Sequence, residues 1–158
     1  MRVSTLMTVV ASTIGLANAT AIPANTTLSA RDWPVLDATA GDWSVACTKD
    51  FDPPADNNHG TAVTMEIYYG INYLRTVPGQ PEEHRNVCGR VSCSWKSAIY
   101  WCNEEKDHGL RLASYGDIAD GAQAIMDKCE DGTDLRGKAV TSSGDGKKWS
   151  VVVVKAKC

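Results

Sequence analysis

Apolar and polar positions along the chain separate into a small set of elements. Trp43-Ser44-Val45-Ala46-Cys47-Thr48 alternates and predicts a short first strand. Lys49–Gly60 follows, with Pro53-Pro54 and a run of Asp and Asn that predicts a loop. Two periods compete in 61–76. Val63, Met65, Ile67, Tyr69, Ile71 and Tyr73 alternate as a strand would, whereas Val63, Ile67, Ile71 and Leu74 form one helical stripe with Gly70 on the same side. About 15 residues is long for a strand and ordinary for a helix. The segment is therefore predicted as a helix, with Asn58 or Thr61 as cap and Pro78-Gly79 as stop.

After a loop over 78–90, Val91–Asn103 turns β-prone. Its second half, Ala98-Ile99-Tyr100-Trp101-Cys102, predicts a central strand. Ser114-Tyr115-Gly116-Asp117 has the form of a capping box. Ile118, Ala119, Ala122, Ile125, Met126 and Cys129 then share one face of an amphipathic helix of about four turns, ended by Glu130-Asp131-Gly132. Gly137–Ser142, the turn Ser143-Gly144-Asp145-Gly146 and Trp149–Lys157 read as a hairpin. Valines on both sides of its return strand place that strand inside a sheet. The order β-α-β-α-β-β predicts an α+β fold, with an antiparallel sheet of about four strands and two antiparallel helices on one face.

The first 19 residues have none of these periods. Arg2 precedes an uncharged, largely apolar stretch, Val3–Leu16, and the small-residue site Ala17-Asn18-Ala19, the three parts of a secretory signal peptide. Ser4, Thr5, Thr8, Ser12, Thr13 and Gly15 dilute it below the roughly 20 strongly apolar residues of a membrane span. Residues 20–31 read as a flexible pro-segment or tail. They carry a glycosylation acceptor at Asn25-Thr26-Thr27 and a site, Leu28-Ser29-Ala30-Arg31, of the Leu-x-x-Arg kind at which fungal secretory proteins are trimmed. Residues 32–158 remain as a single domain. The expected destination is extracellular, with no transmembrane segment in the mature chain.

Secretion changes the meaning of the six cysteines, Cys47, Cys88, Cys93, Cys102, Cys129 and Cys158. An even number in an oxidising route predicts three disulfides. A zinc site is disfavoured because no Cys-x2-Cys pair occurs, and no metal or cofactor is expected. Six cysteines allow 15 connectivities. Cys93 and Cys102 would stand about 30 Å apart in one straight strand, so they take different partners unless the chain turns sharply between them.

Charge narrows the partners. With 16 Lys and Arg against 19 Asp and Glu, net −3, the chain is not a general nucleic-acid binder. The distribution is uneven: residues 32–134 hold 8 basic and 18 acidic side chains, and 135–158 hold 6 and 1. In that basic end, Arg136, Lys147 and Lys148 are candidate contacts for an anionic surface. Trp95, Tyr100, Trp101 and Trp149 are candidates for a platform on which a glycan stacks; Tyr100 and Trp101 point to opposite faces of one strand, so at least one is core, and Trp95 stands with the basic residues as a candidate contact.

Candidate catalytic groups are weaker. Glu82-Glu83, Glu104-Glu105 and Asp107 lie in turn-rich segments, without the apolar pocket that raises the pKa of a glycosidase acid. Glu66, Arg75, His84, Arg85 and His108 supply the residue types of a ribonuclease, but both histidines fall in loops, where acid–base geometry is poorly held. Gly-x-Ser-x-Gly is absent from the sequence. The expectation is a binding protein with no catalytic residues, and the alternative is a small secreted hydrolase such as a ribonuclease.

Three blocks carry a resemblance: Ile67-Tyr68-Tyr69-Gly70-Ile71-Asn72-Tyr73-Leu74-Arg75; Cys88 through Asn103, with Val91-Ser92-Cys93-Ser94 as its most specific part; and Ile118-Ala119-Asp120-Gly121-Ala122 leading to Cys129 and the closing Trp149–Val154 and Cys158. Together, over about residues 61–158, they resemble small secreted cysteine-rich fungal proteins regarded as candidate effectors in virulence. The layout is also similar to the virally encoded killer toxin of smut fungi and its fungal relatives. That likeness implies two antiparallel helices on an antiparallel sheet, with bridges Cys93–Cys158 and Cys47–Cys129, which leaves Cys88 with Cys102. Six cysteines in place of ten, Cys102 within a strand and the lack of a basic protruding loop depart from the toxin and put its channel-blocking activity in doubt. The resemblance implies a monomer that binds a host protein, a competing microbe's protein or a wall polymer, and not nucleic acid.

Overall fold

The computed structural model describes residues 34–47, 60–142 and 146–158. Within these, ten strands and two helices follow in the order β1 (Val35–Ala38), β2 (Trp43–Ala46), β3 (Ala62–Val63), α1 (Thr64–Thr76), β4 (Glu82–Glu83), β5 (Cys88–Ser94), β6 (Ser97–Asn103), β7 (Gly109–Leu112), α2 (Tyr115–Cys129), β8 (Asp134–Leu135), β9 (Gly137–Ser142) and β10 (Lys148–Lys155). All belong to one compact unit, Trp33–Cys158. The signal peptide over 1–19, the tail over 20–31 with Asn25, most of the Lys49–Gly60 loop and the hairpin turn at 143–145 lie outside the described residues.

The class is the expected α+β, but the sheet is larger than four strands. Five strands form its centre in the order β2-β9-β10-β6-β5, every neighbouring pair antiparallel. β10 lies between β9 and β6, which explains its valines on both sides: Val151 and Val153 join one core, Val152 and Val154 the other. β6 is buried along its whole length for the same reason. Two small sheets flank the main one. In one, β7 pairs in parallel with β1 and antiparallel with β4; in the other, β3 pairs with β8.

Both helices cover one face. α1 buries Ile67, Gly70, Ile71 and Leu74, and α2 buries Ile118, Ala119, Ala122, Ile125 and Met126. These side chains meet Ile99, Trp101, Trp149, Val151 and Val153 of the sheet in a single cluster. Two glycines set the helix-to-sheet distance. A Cβ on Gly70 would stand 2.7 Å from Ser92 Oγ, and one on Gly121 would stand 2.6 Å from Val151 and 2.7 Å from the Trp43 ring. The helices run antiparallel: Arg75 near the end of α1 pairs with Asp120 near the start of α2 at 3.2 Å, and Met65 and Tyr68 share a cleft with Met126 and Glu130 at the opposite ends.

Local signals behave as their physics requires where they are strong. Ser114 and Asp117 form the capping box, with the Ser114 N–H donating to Asp117 Oδ2 at 3.0 Å. α1 starts differently from the expectation. Thr61 does not cap it; Val63 stands at the cap position and no side chain caps the end. The Thr64 N–H instead donates to the Thr133 carbonyl at 2.9 Å, and the β3–β8 pairing fixes the entry. Val63, expected on the apolar stripe, is exposed.

The bridges are Cys47–Cys129, Cys88–Cys102 and Cys93–Cys158, the pairs that the toxin resemblance implies. Cys88 and Cys102 face each other across β5 and β6. The sharp turn that would separate Cys93 from a straight strand holding Cys102 does exist, at residues 95–96.

Candidate binding surface

β5 and β6 are joined by two residues only, Trp95 and Lys96, closed by the Ser94–Ser97 pair. Both central residues have positive φ, 45° and 64°. A two-residue connection with that sign at both positions matches the right-handed twist of the strands, and Asn-Gly is its preferred sequence because a Cβ is disfavoured there. A side chain held in this left-handed region costs roughly 1–2 kcal/mol per residue. Trp and Lys therefore occupy the apex against local preference.

The apex is held from three directions. The Ala156 N–H donates to the Lys96 carbonyl at 3.0 Å, so the chain after β10 laces onto the turn. Ser97 Oγ accepts from the Val63 N–H at 2.9 Å. The Cys93–Cys158 bridge ties the end of β5 to the segment after β10. Held in this way, the indole of Trp95 stands in solvent, 82% exposed, the most exposed of the large apolar side chains described.

Beside it runs a groove of about 660 Å³ lined by Trp95, Lys96, Lys155, Lys157 and Cys158. Trp95 and Lys96 come from the turn, and Lys155 and Lys157 from the end of β10 and just beyond. The aliphatic stem of Lys155 lies over Gly60, where a Cβ would come within 2.6 Å of it, and so has a fixed course. Arg90 Nη1 donates to the Lys157 carbonyl at 2.6 Å and steadies that wall. Among the described residues the ion pairs involve other cations, Arg75, His108, Arg111 and Lys138.

The charged residues singled out from the sequence do not join Trp95. Lys148 begins β10 and Lys155 ends it, about 23 Å apart at strand rise. Lys148 donates its backbone N–H to Glu105 Oε1 at 2.6 Å, and Lys147 Nζ donates to the Asp37 carbonyl. Arg136 is only 4% exposed and cannot belong to an open patch. The basic residues of the C-terminal end are thus divided between the two ends of β10 and the sheet interior.

That other end is a polar corner. Asn103, buried, donates from Nδ2 to the carbonyls of Glu83 at 3.3 Å and His108 at 3.0 Å, and its Oδ1 accepts from the Glu105 N–H at 2.8 Å. Glu104 accepts from Lys138 Nζ at 2.8 Å and from Ser150 Oγ at 2.5 Å. Burial alone pushes the Glu104 carboxyl up, but the bonds from Lys138 and Ser150 and the Lys138 charge together hold it below the usual glutamate range.

Of the ribonuclease-type residues, Glu66 and Arg75 lie on α1, and Arg75 is paired with Asp120. The β4–β7 ladder pairs Glu82 with Arg111 and Glu83 with Leu110, so His84, just after β4, and His108, just before β7, stand at the same end of this pair. His108 Nε2 stands 3.9 Å from Glu105 Oε2.

Among the described residues no helix is long and apolar enough to cross a membrane. No protein-family model matches the chain, and no curated protein matches it.

Proposed function

We propose that this is a secreted fungal protein of the effector or killer-toxin kind, which acts by binding a host or competitor target, with the Trp95 apex as its contact. One observation carries the reading. A tryptophan is held in solvent, in a backbone conformation that penalises it, by a bridge and two hydrogen bonds. Strain of this kind gathers at functional sites, because folding alone would favour Asn or Gly there. Aromatic anchors are also the side chains that most often dominate binding energy. Three disulfides suit an oxidising compartment and fit an extracellular destination.

Purified protein infiltrated into plant tissue, beside a fungal growth-inhibition assay, tests this. A response to the parent protein that Trp95→Ala abolishes is the expected result; a full response from that variant overturns the reading.

A second reading draws on His84 and His108 at the same end of the β4–β7 pair, with Glu105 beside His108. That is the raw material of a ribonuclease. RNA turnover lost in both His84→Ala and His108→Ala would favour hydrolysis over binding.

A further inference from the structure

We infer that the Trp95 groove is built for an acidic polysaccharide, a chain of uronate-type sugars that lays one ring on the indole and its carboxylates against the lysines. This rests on the Trp95 apex being a contact surface, and goes further by naming what it contacts.

The lining narrows the chemistry. An exposed indole offers a flat apolar face, which suits the flat face of a sugar ring or a nucleobase. Positive charge comes from two segments of the lining, Lys96 on the turn and Lys155 and Lys157 at the end of β10 and just beyond, so it is not gathered in one residue. A ligand with its charge in a single phosphate would use one part of that lining. A polymer with one carboxylate per ring would use all of it. An open groove of about 660 Å³ leaves room for an extended polymer to run past the indole.

Two other polyanions fit less well. Nucleic-acid binders commonly neutralise about 6–10 phosphates, and three lysines on a chain of net charge −3 supply much less. Membrane anchoring scales with the apolar area buried at the bilayer surface, and here that area is one indole beside three lysines. A sparse polyanion with flat neutral faces matches one indole and three ammonium groups.

The test is a titration of the purified protein with a decameric oligogalacturonate, read by tryptophan fluorescence and by calorimetry. Cellohexaose, single-stranded RNA and phosphatidylserine vesicles serve as competing probes. Binding of the oligogalacturonate is expected, tighter than to any of the three, weakening as salt is raised. It should fall about tenfold or more in Trp95→Ala and in Lys155→Gln/Lys157→Gln. Circular dichroism of the variants should match that of the parent, because these side chains are at the surface. Absence of oligogalacturonate binding, equal binding by both variants, or tighter binding of RNA or vesicles overturns the inference. The failures separate: if the oligogalacturonate does not bind but Trp95→Ala still loses the biological response, only the ligand is wrong. If Trp95→Ala keeps that response, the contact reading itself falls.

Discussion

The two ends of the β6–β10 ladder carry similar residues and put them to opposite uses. At the Asn103 end, the ammonium groups of Lys138 and Lys147 are held by Glu104 and the Asp37 carbonyl, and Lys148 gives its backbone N–H to Glu105, around an asparagine with three hydrogen bonds. At the Trp95 end, three lysines line a groove beside an exposed indole on a strained turn. Buried polar groups must be satisfied, so the first end is a structural knot. The second defies local preference and is held by other parts of the chain. What a lysine does here depends on which acceptors the fold brings to it, not on how basic its stretch of sequence is.

The contrast can be broken or sharpened by mutation. The largest effect is expected at the knot. Asn103→Ala should cost about 2–3 kcal/mol, because two carbonyls and one N–H lose their partner in a buried site; urea denaturation measures it. Glu104→Gln comes next, at about 1–2 kcal/mol near neutral pH, since it removes a charge-assisted bond at a partly exposed site. Its pH signature is more specific. The lowered folded-state pKa of Glu104 gives stability that is present above the ordinary glutamate value and is lost as pH falls through the folded value. Acid denaturation curves should show that loss in the parent and less of it in the variant.

At the apex the sign should reverse. Trp95→Asn places a residue that tolerates the left-handed region where Trp stands now, so stability should hold or rise by up to about 1 kcal/mol while binding is lost. A thermal melt beside a binding titration reads both, and a clear loss of stability would mean that the indole packs after all. The smallest effect belongs to Lys155→Gln/Lys157→Gln, expected within about 0.5 kcal/mol of the parent. A loss as large as at Asn103 would erase the distinction between the ends.

The same contrast explains what was legible in the sequence. α2 announces itself because Ser114, Asp117 and the apolar stripe are all local signals, and so are the paired valines of β10. The β5–β6 hairpin is hidden because its turn is Trp-Lys, with no Gly, Asn or Pro to mark it. β1 and β4 are hidden because their partner β7 is remote in sequence and neither alternates strongly. Residue types pointed to the Trp95 groove only in part. Trp95 stood out, but Lys155 and Lys157 join it through the Ala156–Lys96 bond and the Cys93–Cys158 bridge, which no count of charge along the chain contains.

The parallel pairing of β1 with β7 sets an order in time. Val35 aligns with Gly109, so the first strand leaves the ribosome long before its partner is made. At about 5–20 residues per second, that is a wait of roughly 4–15 s. Until then Val35–Ala38 has no neighbour in its sheet. Assembly of this corner is thus a late event. A chaperone has several seconds in which to hold this strand before the fold claims it.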